Sequence, residues 1–184
     1  MPAALTPPDA SEHAPYYAKY IDLAIAAVAG ANVGDLRMLL TQQTGELESL
    51  LDGVDDEHAN RAYAAGKWTL KESIVHLSDS ERVFGYRALR IARGDTTPLR
   101  GFEQDYWVPE SRANVRSLAV ILAEFRAVRG ATLTLVDSFD ATSLAQVGVA
   151  SGQTVSTRAL CWIIAGHAAH HIAITRDRYL TALR

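Results

Sequence analysis

The sequence predicts an all-α protein, a four-helix bundle with long connections and a crossover between its second and third helices. Three observations carry this. Four long stretches repeat their apolar residues at helical spacing. Cap and stop residues bracket those stretches. The segments between them are long, and a long second connection allows neighbouring helices to run parallel.

Residues 1–15 contain Pro2, Pro7, Pro8 and Pro15 and are expected to be a flexible arm ahead of a bundle domain at 16–184. Residues 16–31 suit either a short helix or a segment laid along the domain. The first helix is expected over 34–51, where Leu36, Leu39, Leu40, Leu47, Leu50 and Leu51 share a face and Asp52-Gly53 stops the run. The second is expected over 69–93. Thr69 and Glu72 form a capping-box pattern, and Leu70, Leu77, Phe84, Ala88 and Ile91 make one stripe before Gly94. The third is expected over 111–139, with Val115, Leu118, Leu122, Phe125, Val136 and Phe139 on one face. The fourth is expected over 156–183, with Leu160, Ile163, Ile164 and Ile174 inward. The connections 52–68, 94–110 and 140–155 are longer than compact domains usually use, and such loops often carry function. Residues 146–155 have the composition of a small hairpin but are too short for strands to be assigned.

Composition narrows the function classes. Of 184 residues, 48% are hydrophobic and 21% charged, with a net charge of −3. There is no basic run, so nothing suggests a nucleic-acid partner. The longest apolar stretch, around 21–30, is too short to span a bilayer. The lone Cys161 forms no internal disulfide and fits a reducing compartment. With no signal-peptide layout at the N-terminus, the expected location is cytoplasmic.

The chemistry lies in histidines. His167 and His171 are four apart on the last helix, so both imidazoles share one face. That spacing suits two ligands to one metal, as in H-E-x-x-H sites, although the Glu of that motif is absent here. Both continue the apolar stripe Leu160, Ile163, Ile164. Buried imidazoles need partners for their ring nitrogens, and a metal supplies one. Core histidines bonded to backbone or carboxylates are the other reading. A third ligand is needed, and His76 in mid-helix is the best candidate; His13 in the arm and His58 in a polar loop are weaker. His170 points away from the pair and suits a supporting or exposed position.

Three blocks then resemble a known family. They are Trp68-Thr69-Leu70-Lys71-Glu72 leading into His76-Leu77-Ser78-Asp79-Ser80-Glu81-Arg82, then 86–95, then Gly166-His167-Ala168-Ala169-His170-His171. Together they resemble the DinB-like (damage-inducible) superfamily of metal-dependent proteins over roughly residues 15–183. That group includes bacillithiol transferases and is related to mycothiol-dependent enzymes. The resemblance implies a four-helix bundle with a crossover, usually a homodimer. It also implies a three-histidine site of nickel or zinc type, with the ligand roles on His76, His167 and His171.

Three neutral imidazoles leave the metal its full charge and leave a position open for a small molecule. A soft thiolate suits that position, which makes a low-molecular-weight-thiol S-transferase the leading expectation. The same site could instead serve a metal-dependent hydrolase acting on an ester or amide. A non-catalytic metal-binding stress or interaction protein is a third possibility. Asp79, three residues after His76, is a candidate base or orienting group. Arg129 continues the apolar face of the third helix, where it suits an anionic substrate group, a pairing with Asp79 or Glu81, or a position at the rim. Glu72 reads as a capping residue, and Arg87 and Arg178 as helix-end charges or mouth residues. Trp68 and Trp107 read as packing. Trp107 sits in a loop whose aromatics could cover the site, and Cys161 reads as a small core residue.

Overall fold

A computed structural model describes residues 3–182. In chain order the elements are α1 (Pro15–Ala31), α2 (Leu36–Leu50), α3 (Asp56–Ala59), α4 (Leu70–Ala92), α5 (Gln104–Glu110), α6 (Leu118–Asp137), α7 (Ala141–Ala145), β1 (Val147–Ala150), β2 (Gln153–Ser156), α8 (Thr157–Ile174) and α9 (Leu180–Ala182). The bundle is α2, α4, α6 and α8, with α1 packed along α8.

Cross-helix contacts fix the directions. Arg37 pairs with Asp137 and Glu48 with Arg126, so α2 and α6 are antiparallel. Glu81 meets Arg129 and Gly85 lies next to Leu135, so α4 and α6 run parallel. Ser73 meets His171 and Phe84 meets His167, so α4 and α8 are antiparallel. Parallel α4 and α6 require the chain between them to return along the bundle, which is the expected crossover.

Two apolar cores divide the bundle along its length. One gathers Leu36, Leu40, Phe84, Ile91, Val136 and Leu160 at one end. The other gathers Leu47, Leu70, Leu77, Ile121, Phe125 and Ile172 at the other. Burying two such faces is what holds four amphipathic helices together.

The local signals explain where helices start. At α4 the capping box is complete: the Glu72 N–H donates to Thr69 Oγ1 at 3.1 Å, and the Thr69 N–H to Glu72 Oε2 at 2.8 Å. The third bundle helix differs from expectation. It starts at Leu118, where Ser117 caps it, and not at 111. Arg112 adopts a left-handed conformation (φ 54) that stops α5, and Val115, expected inward, is 79% exposed. Residues 16–31 resolve into α1. A hairpin does form: Val147 pairs with Ser156 and Ala150 with Gln153, across a Ser151-Gly152 turn with both φ positive (54 and 73). The described part of the expected arm packs on the body. Leu5 is buried, Ser156 donates to Glu12 at 2.8 Å, and His13 bridges Val155.

The last helix is not regular to its end. A π turn occupies Thr175–Tyr179, between α8 and α9. At the other flank, α1 crosses α8 at Gly166, where a Cβ would come within 1.7 Å of the Tyr20 carbonyl oxygen. Only glycine permits that approach, one residue before His167. Among the described residues, no single helix is long and apolar enough to cross a membrane.

Candidate metal centre

α4 and α8 face each other with His76 on one and His167 and His171 on the other. One ring nitrogen from each lies within 4.8 Å of the others, and all three residues are buried. Ring centroids are 5.1 Å apart for His76–His167 and His76–His171, and 4.6 Å for His167–His171. The spacing inferred from sequence therefore becomes a cluster because antiparallel packing brings the N-terminal third of α4 to the C-terminal half of α8.

Burial sets the charge state. It pulls His76 down to about 4, partly opposed by the Asp105 carboxylate. It pulls His167 and His171 well below the ordinary imidazole value, and their mutual proximity adds to the effect. All three rings are neutral at neutral pH and offer lone pairs. Among the described residues, no hydrogen-bond partner reaches either ring nitrogen of His167. The donor set thus fits a divalent transition metal: neutral nitrogens, close together, with an unmet lone pair.

The cluster opens into a cavity of about 400 Å³. Trp68 packs on His76 at 4.7 Å, and Tyr20 on His167 at 5.4 Å. Tyr63 and Tyr179 meet edge to face at 4.9 Å on another wall. Lys67 brings a cation and Asp105, from α5, a carboxylate. His170 is half-buried, lines the same space and lies 5.3 Å from His171.

The structure does not bring the two expected catalytic side chains to this cavity. Asp79 pairs with Arg82 at 3.0 Å and is partly exposed; burial raises its pKa, but it does not line the cavity. Arg129 is engaged inside the bundle. It donates through Nε and Nη2 to Glu81 at 2.8 and 2.7 Å, and through Nη1 to the Leu40 carbonyl at 2.6 Å and Gln43 Oε1 at 3.2 Å. Every nitrogen of the guanidinium is engaged within the fold, and the side chain is buried away from the cavity. Arg87 is likewise buried, bonded to the Arg100 carbonyl and Ser151. Arg178 is exposed. Trp107 packs on Phe102 and leaves the cover to Gln104 and Asp105.

Other residues at the site were not singled out in the sequence. Ser73 lies within 3.1 Å of His171 Nδ1, and its position three before His76 on the same helix could have revealed it. Tyr179 could not be found by helical spacing, because the π turn rotates everything after Ile174. Tyr20, Tyr63, Lys67 and Asp105 come from segments whose path the sequence leaves open.

An all-α bundle with a crossover and a buried three-histidine cluster defines a class of metal-site bundles. The chain belongs to the DinB superfamily, whose sequence model matches residues 39–175. A protein of Oceanobacillus iheyensis named "Putative metal-dependent hydrolase OB0413" is 26% identical over 73 residues, which is 39% of this chain and 42% of that protein. YfiT from Bacillus subtilis, described as a probable metal-dependent hydrolase with an unusual four-helix bundle topology, shares the fold. Its TM-score is 0.69 at 17% identity, over 75% of this chain and 80% of that one.

Proposed function

We propose that this chain is a metal-dependent enzyme in which His76, His167 and His171 hold one divalent transition metal of nickel or zinc type, and that it transfers a low-molecular-weight thiol to an electrophilic small molecule. The observation that carries the reading is the open side of the histidine cluster, which faces a 400 Å³ cavity and no fourth protein ligand among the described residues. A metal bound there supplies a Lewis acid that lowers the pKa of a thiol or water. The chain's own thiol is no nucleophile. Cys161 is fully buried, and burial pushes its pKa up to about 12, so a thiol must enter from outside. Lys67 and the cavity tyrosines orient polar groups of that molecule, and the Trp68 and Tyr20 rings keep the imidazoles from bulk water.

A second reading is hydrolysis of an ester or amide. Asp105 favours it, because a carboxylate beside His76 is a proton acceptor for an attacking water. Hydrolysis is also the activity ascribed to both similar proteins. One assay separates the two: zinc- or nickel-loaded protein is given an electrophile with and without a low-molecular-weight thiol. Thiol-dependent product that His171→Ala abolishes supports transfer. Turnover independent of thiol supports hydrolysis, and equal turnover by the variant overturns both.

A further inference from the structure

We propose that residues 101–112, which contain α5, form a lid beside the histidine cluster, tethered to α4 at both ends and free to swing between the tethers. In front, the Leu99 N–H donates to the Val149 carbonyl and the Ser151 N–H to the Leu99 carbonyl, each at 2.9 Å, so the chain enters as an addition to the hairpin. Arg87 of α4 then donates through Nη2 to the Arg100 carbonyl and to Ser151 Oγ, both at 2.9 Å. Behind, Ala113 is 2% exposed, and Asn114 is held by the cap of α4. Its amide donates to Glu72 Oε1 at 3.0 Å, and its Oδ1 accepts from Thr69 Oγ1 at 2.7 Å.

Between the tethers little holds the chain. From Gly101 to Arg112, only Val108 is buried. Among the described residues, no hydrogen bond joins residues 101–111 to the rest of the bundle. None of Glu103, Asp105, Glu110 and Arg112 forms an ion pair there. Phe102 and Trp107 pack mainly on each other, at 4.9 Å. The tethering residues Glu72 and Arg87 are about 22 Å apart at the helical rise. The chain from Arg100 to Asn114 reaches about 45 Å when extended, so it carries slack. Gly101 and the left-handed Arg112 (φ 54) give it a turning point at each end. A segment with so few buried contacts opens at low free energy.

The lid bears on the cavity directly. Gln104 and Asp105 line it, so a swing of α5 moves an amide and a carboxylate toward or away from the open side of the cluster. The present position leaves the lid's own aromatics in water: Tyr106 is 77% and Trp107 45% exposed. Arg87 is the pin of the front tether. It is 3% exposed and forms no ion pair among the described residues, and its bonds go to Arg100 and Ser151, with its guanidinium 5.8 Å over the Phe102 ring. It is a positioning residue, acting on the cavity through the lid.

The lid's motion needs no metal, while its use as a gate rests on the function proposed above. Hydrogen–deuterium exchange of the full metal-free chain reads the motion. Amides of residues 104–111 should exchange together, at least about 100-fold faster than those of α4, and the fast segment should stop at the bonded amides of Leu99 and Arg116. Stripping of zinc from the loaded chain by EDTA reads the gate, with zinc affinity measured alongside. Arg87→Met should speed stripping about tenfold while affinity stays within about threefold, and Arg87→Lys, which can donate to the same two acceptors, should restore the parent rate. Protection of 104–111 equal to that of α4, or fast exchange that runs past both tethers, overturns the lid. A stripping rate that Arg87→Met leaves unchanged does the same. A chain that exchanges as expected and takes up no zinc upholds the lid and overturns the metal reading.

Discussion

Two polar clusters lie inside this bundle, and they obey opposite rules. Around Arg129, every guanidinium nitrogen meets an acceptor: Glu81 takes two bonds, Leu40 and Gln43 take one each, and Gln43 passes one on to the Ala165 carbonyl of α8. Around His167, ring nitrogens face one another and a cavity. The first cluster is closed and ties α2, α4, α6 and α8 together between the two apolar cores. The second is open and holds unused lone pairs. A buried polar group whose bonds are all made is structural; one that keeps an unmet lone pair beside an open space is a site.

Breaking the closed cluster should have the largest effect on stability. Arg129→Met leaves Glu81 as a buried, unpartnered carboxylate and should cost about 3–5 kcal/mol in urea unfolding. Adding Glu81→Leu should recover most of that loss, because the pair as a whole is replaceable by apolar groups. A double variant as unstable as the single one would show that the cluster does more than satisfy itself.

The next test strikes the packing that closes one wall of the open cluster. Gly166→Ala must push Tyr20 and α1 away, and overpacking of this kind costs about 1–3 kcal/mol or more. Zinc affinity should fall with it, because His167 follows at the next position. A variant of unchanged stability and affinity would mean that α1 adapts freely.

Acid should separate the clusters further. Metal-free His76, His167 and His171 have folded-state pKa values below the ordinary 6.5, with His76 at about 4. The unfolded chain therefore binds more protons between those values, so stability is lost as pH falls from about 6.5 through 4. Thermal melts of metal-free protein should show that loss, and His76→Ala/His167→Ala/His171→Ala should flatten it. A parent chain with no pH dependence in this window would contradict the burial argument.

The smallest effect should come from Asp79→Asn. This carboxylate is tied to Arg82 at a partly exposed position, so the change should alter stability by less than about 0.5 kcal/mol and leave zinc affinity unchanged. A large loss of affinity would restore the role that its spacing from His76 suggested.

These contrasts show what a sequence exposes and what it hides. The His167–His171 face and the cap at Thr69 are matters of spacing within one helix, and both were legible. So was the crossover, because the long second connection announces it. For Arg129 the sequence offered pairing with Asp79 or Glu81 beside a substrate or rim role, and only the register of two parallel helices, 48 residues apart in sequence, selects Glu81. The start of α6 was missed because Val115 mimics a helical apolar position while Arg112 breaks the chain's path. Tyr179 was hidden by a π turn, and Asp105 by a loop that folds into α5. Arg129 and the His167–His171 pair both continue apolar helix faces in the sequence, and only three-dimensional bonding separates their roles.

The central claim is that the open cluster holds a metal, and metal analysis tests it most directly. Protein made without an affinity tag should carry close to one nickel or zinc ion per chain by mass spectrometry of metals. Substitution of any one of His76, His167 and His171 by alanine should reduce that content sharply. Trace metal in the parent chain, with no more affinity than the triple alanine variant, would contradict the account.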